Sequence, residues 1–326
     1  MISPLKFILN TQLKLKRSHL GQKTGGFTLI ELLVAMIMAA LVITPLLGFM
    51  LNILETDRKE QAKANTEQEI QSALGYIAQD LQEAVYIYDA AGLNQIKAQL
   101  PPAQGGSLGC AVGSNCTPVV VFWKREVKKG VIPVTGTAKT QSDDAVVYSL
   151  VAYYLIKTPD NTWSTKARIG RFQIEDRVKN PKNTVALASI SSAYLGTETA
   201  ENKGFKMFDA NLSGGITSIM TQWTKGAAAY EAPTRILVDY IDSDSAIGAC
   251  QPAIDPNTGQ SKAVTPIGIN GFYACVVDPA QALAQVFIKG NATARFKPDA
   301  TCDTTKPGTS CPSASVQVKG RGSLGL

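Results

Sequence analysis

Gly26, Phe27 and Glu31 are the residues whose types and spacing announce chemistry. They sit in Lys23-Thr-Gly-Gly-Phe-Thr-Leu-Ile-Glu-Leu-Leu-Val-Ala-Met36, a basic leader, a glycine pair and an apolar run broken by one carboxylate. An ordinary secretory signal places its small-residue cleavage site after the apolar core. Here the glycines precede it, so a cut after Gly26 leaves the apolar run on the mature chain, with Phe27 as its new amino terminus. Gly26 suits such a cut because it has no Cβ to hold a protease away from the backbone. Glu31 is then an acid inside an apolar segment. Such a group is costly in lipid unless paired, so it marks a function.

The element that positions these residues is a long helix. From Leu32 to Leu51 no residue is charged, enough to cross a hydrocarbon layer about 30 Å thick. Thr44, Pro45 and Gly48 interrupt the run and predict either a simple kink or a point of local melting. Lys6, Lys14, Lys16, Arg17 and Lys23 precede the span with no acid among them. That asymmetry keeps the leader cytoplasmic and exports the rest. Taking these five from 32 basic residues leaves 27 against 26 acidic ones. The basic balance therefore belongs to the leader and is no nucleic-acid footprint.

This order of leader, glycine, phenylalanine and glutamate resembles the class III signal of type IV pilins and pseudopilins. The resemblance covers roughly the first quarter of the chain, and it is specific there. It implies cleavage by a prepilin peptidase between Gly26 and Phe27 and N-methylation of Phe27. It also implies pairing of Glu31 with the terminal amine of a neighbouring subunit during filament growth. The alternative is a plain membrane anchor with Glu31 at the headgroup boundary.

Composition narrows the chemistry further. The one histidine is His19, in the leader. A chain starting at Phe27 then lacks the residue needed for Ser-His-Asp and Cys-His catalysis and for imidazole zinc sites. Six cysteines, Cys110, Cys116, Cys250, Cys275, Cys302 and Cys311, all follow the span. An even count on the exported side of a membrane reads as disulfides. Sequence neighbours suggest Cys110–Cys116 and Cys302–Cys311, which leaves Cys250–Cys275. A four-thiolate metal site is the alternative, but CxxC knuckles are missing.

Beyond the span the helix is expected to continue. Ile70, Leu74, Ile77, Leu81, Val85 and Tyr88 recur at steps of three and four, with Gln68, Gln71, Gln79, Gln82 and Glu83 opposite. The remainder reads mostly as strand: Val119 to Val127, Ala145 to Ile156, Ile169 to Ile174, Ile236 to Ile241, Tyr273 to Val277 and Gln285 to Lys289. Thr184 to Thr197 reads as helical, and the tail from Thr301 as turn and mobile end. The fold class is α+β, with a long amino-terminal helix packed on an antiparallel sheet head, as in pilins. The predicted divisions are a removed leader at 1–26, a transmembrane and assembly segment at 27–54, an amphipathic continuation at 55–89 and an exported head at 90–326.

Other clusters have bland explanations. Asp239, Asp242 and Asp244 could form an oxygen-rich calcium loop, as in some pseudopilins, but the EF-hand pattern is absent. Lys124-Arg-Glu-Val-Lys-Lys129 beside Phe122 and Trp123 could meet single-stranded nucleic acid. A charged hairpin explains the same residues, and no nucleic acid is expected. Tyr148, Tyr153 and Tyr154 are better core and cross-strand residues than sugar contacts. The Asn211 and Asn291 sequons carry no force without a glycosylating host.

The large head suits a minor subunit, and the stretch Ala78-Gln-Asp-Leu-Gln-Glu-Ala84 looks like J-class or W-class minor pseudopilins. Within these it is similar to subunits of cyanobacterial hormogonium polysaccharide secretion. The resemblance implies a non-catalytic subunit of a type IV pilus-like or type II secretion-like filament that supports export of a polymer or protein. It implies no cofactor. Its partners would be the prepilin peptidase, other major and minor pilins or pseudopilins, an inner-membrane assembly platform and the lipid bilayer. The chain would sit in the inner membrane with its head periplasmic or in an envelope-spanning filament. A minor pilin for adhesion or DNA uptake is the rival function, and an enzyme tethered by a pilin-like anchor a weaker one.

Overall fold

The computed structural model describes residues 26–101, 105–107, 115–133, 142–158, 160–180, 194–243, 250, 271–302 and 311–322. The chain divides into two units, Met1–Glu55 and Thr56–Leu326. It is an α+β protein in which a long apolar helix leads into an antiparallel sheet head.

Helix α1 spans Leu29–Gln82. In the first unit it is exposed throughout, and it is long and apolar enough to cross a membrane. It runs unbroken through Thr44, Pro45 and Gly48. Proline withholds one helical N–H, and the Thr44 hydroxyl donates to the Ala40 carbonyl at 2.8 Å. In the second unit its buried residues are Ala62, Thr66, Ile70, Ala73, Leu74, Ile77, Asp80 and Leu81. That stripe follows the helical period.

The expected continuation to Tyr88 does not occur. The helix ends at Gln82, and Ala84–Ile87 form strand β1, antiparallel to Phe122–Lys124. Ala84-Val-Tyr-Ile-Tyr88 is β-branched and aromatic, and all five residues are fully buried. Pairing against an open strand edge and burial on both faces outweigh the helical spacing.

Short helix α2, Ala90–Ile96, begins at Asp89, whose carboxylate accepts from the Gly92 N–H at 2.7 Å. Then come β2 (Gly105–Ser107), β3 (Cys116–Pro133), β4 (Ser142–Ile156), β5 (Ala167–Glu175), helix α3 (Gly215–Thr221), β6 (Tyr230–Pro233) and β7 (Arg235–Ile241). The main sheet has the order β1-β3-β4-β5-β7 and is antiparallel throughout. Strands β8 (Phe272–Asp278), β9 (Leu283–Lys289) and β10 (Ser313–Lys319) form a second antiparallel sheet in the order β10-β9-β8, and β2 pairs with β6.

Strand β10 corrects the expectation of a loose tail. Ser313 to Lys319 pair one for one with Lys289 to Leu283, and their alternation turns Ala314, Val316 and Val318 onto the core. Of the expected helix at 184–197, residues 184–193 lie outside the described part. Tyr194 instead forms an isolated bridge with Lys179.

Alternation in β3 sorts the core into two layers. Lys124 lies on the face covered by α1, whereas Trp123 lies on the other. There Trp123 meets Phe205, Phe208 and Trp223 edge to face, with ring centroids 5.8, 5.1 and 5.5 Å away. Its indole N–H donates to the Tyr88 hydroxyl at 3.0 Å, which donates to the Met220 carbonyl at 2.9 Å. The polar atoms of Trp123 and Tyr88 are therefore both satisfied.

Candidate functional site

Gly26, Phe27 and Thr28 precede the first turn of α1, and Glu31 lies within it. A Cβ added at Gly26 would meet no atom within 4 Å, and Phe27 is 82% exposed. The Gly26–Phe27 peptide is thus an accessible, non-helical bond, the form a protease needs. The helix starts where it does because Thr28 caps it. The Glu31 N–H donates to the Thr28 carbonyl at 3.0 Å and to its hydroxyl at 3.3 Å, and the Leu32 N–H donates to the same carbonyl at 3.2 Å. The Thr28 hydroxyl donates to Glu31 Oε2 at 3.5 Å.

This is a close variant of the capping box, in which a threonine and a glutamate three residues later hold each other across a helix start. The carboxylate also lies at the positive end of the helix dipole. Thr28 thus belongs to the site, although the glycine-to-glutamate spacing drew attention past it. Thr28-Leu-Ile-Glu31 before an apolar run was a legible signal. Chemically, the arrangement presents an exposed carboxylate one helical turn from Phe27, whose nitrogen a cut after Gly26 would free as an amine.

The other cysteines and acids lie in the second unit. Cys250 is bonded to Cys275 on β8, and Cys302 to Cys311 just before β10, with Cα separations of 5.7 and 5.9 Å. Both bridges therefore tie chain to the three-stranded sheet. Cys116, at the start of β3, is also disulfide-bonded. Cys110 lies outside the described residues.

The acidic group after β7 does not converge. Asp239 accepts from the Ser164 N–H and hydroxyl, both at 2.8 Å, so each of its oxygens is occupied. Asp242 is fully buried and faces Lys289 at 3.1 Å. Asp244 lies outside the described residues, and no metal-binding group of three or more such residues occurs among the described ones.

Lys124 is no surface cation. It is 5% exposed and lies 3.0 Å from Asp80 and 3.4 Å from Glu83, with Glu126 also in contact. Tyr153 and Tyr154 are fully buried; their hydroxyls donate to Asp80 at 2.7 Å and to the Pro101 carbonyl at 3.1 Å. Neither presents a face to a sugar. Asn291 is fully buried, its side chain capping Ala294 and bonding Ala300, so its sequon is inaccessible.

Asp80 on α1 is the centre the sequence pattern left unmarked. It receives Arg171 Nε at 2.6 Å, Lys124 at 3.0 Å and the Tyr153 hydroxyl at 2.7 Å. Burial alone would raise its carboxyl. The Arg171 hydrogen bond and charge, then Lys124 and Tyr153, outweigh it and hold the carboxyl below the usual range. The network continues outward through Gln173, Glu126, Lys128 and Glu175. An acid three residues after Ile77 on the apolar stripe was the one available clue.

Residues 21–47 match the family model described as the prokaryotic N-terminal methylation motif. No curated protein and no solved structure matches the chain. The matched segment contains Gly26, Phe27, Thr28 and Glu31 together with most of the exposed apolar part of α1. The amino-terminal part of the chain is accordingly type IV pilin-like, and the one helix among the described residues that is long and apolar enough to cross a membrane, at the amino-terminal end, fits an anchor in the inner membrane.

Proposed function

We propose that this chain is a minor subunit of a type IV pilus-like or type II secretion-like filament, in the manner of J-class or W-class pseudopilins. One observation carries the proposal: the methylation motif coincides with an open Gly26–Phe27 peptide followed at once by a capped helix bearing Glu31. A prepilin peptidase cuts that peptide, and methylation follows at the Phe27 nitrogen. In the waiting subunit the carboxylate rests on Thr28 and on its own helix start. On assembly it exchanges that contact for the ammonium of a neighbour, an opposite charge that offsets burial in lipid.

The leader's five cations hold the amino terminus in the cytoplasm and place the disulfide-bearing head on the periplasmic side. The subunit's work is mechanical. It supports export of a polymer, such as a polysaccharide, or of a protein, and catalyses nothing itself. Its partners are the peptidase, other pilins or pseudopilins and the assembly platform.

The test is a deletion strain complemented with wild type or Glu31→Val, read by mass spectrometry of the mature amino terminus and by filament entry. Both proteins should begin at methylated Phe27 and reside in the membrane, and only the variant should fail to enter filaments. A wild-type start at Met1, or a variant that assembles normally, would overturn the proposal in favour of a plain anchor. Adhesion or DNA uptake would show as binding of the isolated filament to surfaces or DNA with export intact.

A further inference from the structure

In the second unit, helix α1 meets the sheets through a stripe that does not by itself define a position along the helix axis. Ile70, Ala73, Leu74, Ile77 and Leu81 repeat at three and four residues. A slide of one turn, about 5.4 Å, replaces Ile70 by Leu74 and Ala73 by Ile77, so much of the apolar contact survives. Two polar attachments do not survive it. Near the end of the stripe, Asp80 is held by Arg171, Lys124 and Tyr153, which come from three different strands. Fourteen residues earlier, about 20 Å along the helix, Arg295 contacts Glu69 and donates from Nε to the Thr66 hydroxyl at 2.8 Å. Its guanidinium lies over the Tyr240 ring at 4.4 Å.

We infer that Asp80 and the Arg295–Glu69–Thr66 contact form a two-point lock that fixes the axial register of α1 and passes pull along the helix into the head. A one-turn slide would bring Tyr76 to the place of Asp80 or, in the other direction, draw Ala84 out of strand β1; either way Arg171, Lys124 and the Tyr153 phenol lose their shared acceptor, Lys124 keeping only Glu126 and Arg171 only Gln173. Breaking a buried pair is far costlier than sliding apolar side chains. Gly290 closes the other end: a Cβ there would lie 2.5 Å from Thr66 Cγ2 and 2.8 Å from Ile70 Cδ1, so the helix seats directly on that backbone. The lock draws its purpose from the filament role proposed above, in which a subunit is extracted by force applied along its helix. Its existence can be measured without a filament.

The experiment holds the full-length protein in nanodiscs and applies constant force between tethers at positions 57 and 143. Both positions are exposed, the first near the start of the second unit and the second at the start of β4. Three variants are compared with wild type: Asp80→Asn, Glu69→Gln and Leu74→Ala, with Leu74→Ala serving as an apolar change of the same interface. Asp80→Asn should accelerate detachment of the helix about a hundredfold. Compared at equal loss of melting temperature, it should exceed the acceleration by Leu74→Ala about tenfold. Glu69→Gln, at an exposed contact that does not endanger folding, should act in the same direction to a smaller extent and serves if Asp80→Asn does not fold. Equal acceleration by polar and apolar variants, matched for melting temperature, would overturn the lock and leave Asp80 an ordinary contributor to stability. If the lock holds while Glu31→Val assembles normally, the filament role fails alone.

Discussion

Replacing Lys124 with methionine tests whether the buried charges beneath α1 act as one unit. The ammonium is 5% exposed and serves Asp80, Glu83 and Glu126 together. Removing one partner of a buried pair typically costs about 3–5 kcal/mol. Here Asp80 keeps Arg171 and Tyr153, and Glu126 keeps Lys128 and Gln173, so about 2–3 kcal/mol is the appropriate figure. For a domain of this size that lowers the melting temperature by about 5–10 °C. Calorimetry of the full chain at neutral pH measures it, and a cycle with Asp80→Asn should return a coupling of about 1 kcal/mol or more.

The pH dependence has a definite sign. Asp80 and Glu126 are held below the usual carboxylate range, their partners outweighing burial. They therefore stabilise the fold above their unfolded values, about 4, and that stability is lost as pH falls through the folded values. Lys124 is raised, with Asp80 and Glu126 outweighing burial. Its contribution is complete below its unfolded value near 10.4 and is lost as pH rises through the folded one. Lys124→Met should therefore flatten both the acid and the alkaline limb of the stability curve. A loss under about 0.5 kcal/mol with unchanged limbs would refute the reasoning, because it would mean that water already screens the network.

Asp176 should behave in the opposite way: burial raises its carboxyl against the opposing effects of Lys179 and Arg177, so its ionisation opposes folding. Asp176→Asn should raise the melting temperature at pH 7, with the gain vanishing below about pH 4. The pair Cys302→Ser with Cys311→Ser opens a short loop, so chemical denaturation should report a loss of about 2–3 kcal/mol with β10 still paired in hydrogen exchange. Gly271 has φ of +80° and its Cβ would lie 1.8 Å from the Asp242 carbonyl oxygen. Gly271→Ala should therefore cost at least about 3 kcal/mol, read as a shift of the denaturation midpoint.

What the sequence determined by itself is local or periodic. Gly26, Phe27 and Glu31 lie within six consecutive residues of one segment, so their spacing alone announces the methylation motif. The uncharged run from Leu32 to Leu51 declares its helix because no sheet could bury so long an apolar stretch. Strands β3, β4, β5, β7, β8 and β9 were legible from β-branched and aromatic runs between turn residues.

Tertiary structure decided whatever depended on a distant partner. Val85 and Tyr88 continue the helical spacing of Ile77 and Leu81, and only the open edge of β3 makes that stretch a strand. The Ser-Ala-Ser-Val-Gln-Val run of β10 is too polar to announce itself, and β9 supplies its hydrogen bonds. Lys124 looked like part of a basic surface because, Glu126 apart, its counterions lie far off in the chain, Asp80 being 44 residues away. Arg171 reaches the same carboxylate across 91 residues. A charge pattern along the chain records which ions are present. Which of them lose their water, and so which pairs matter, is settled only when the helix closes over the sheet.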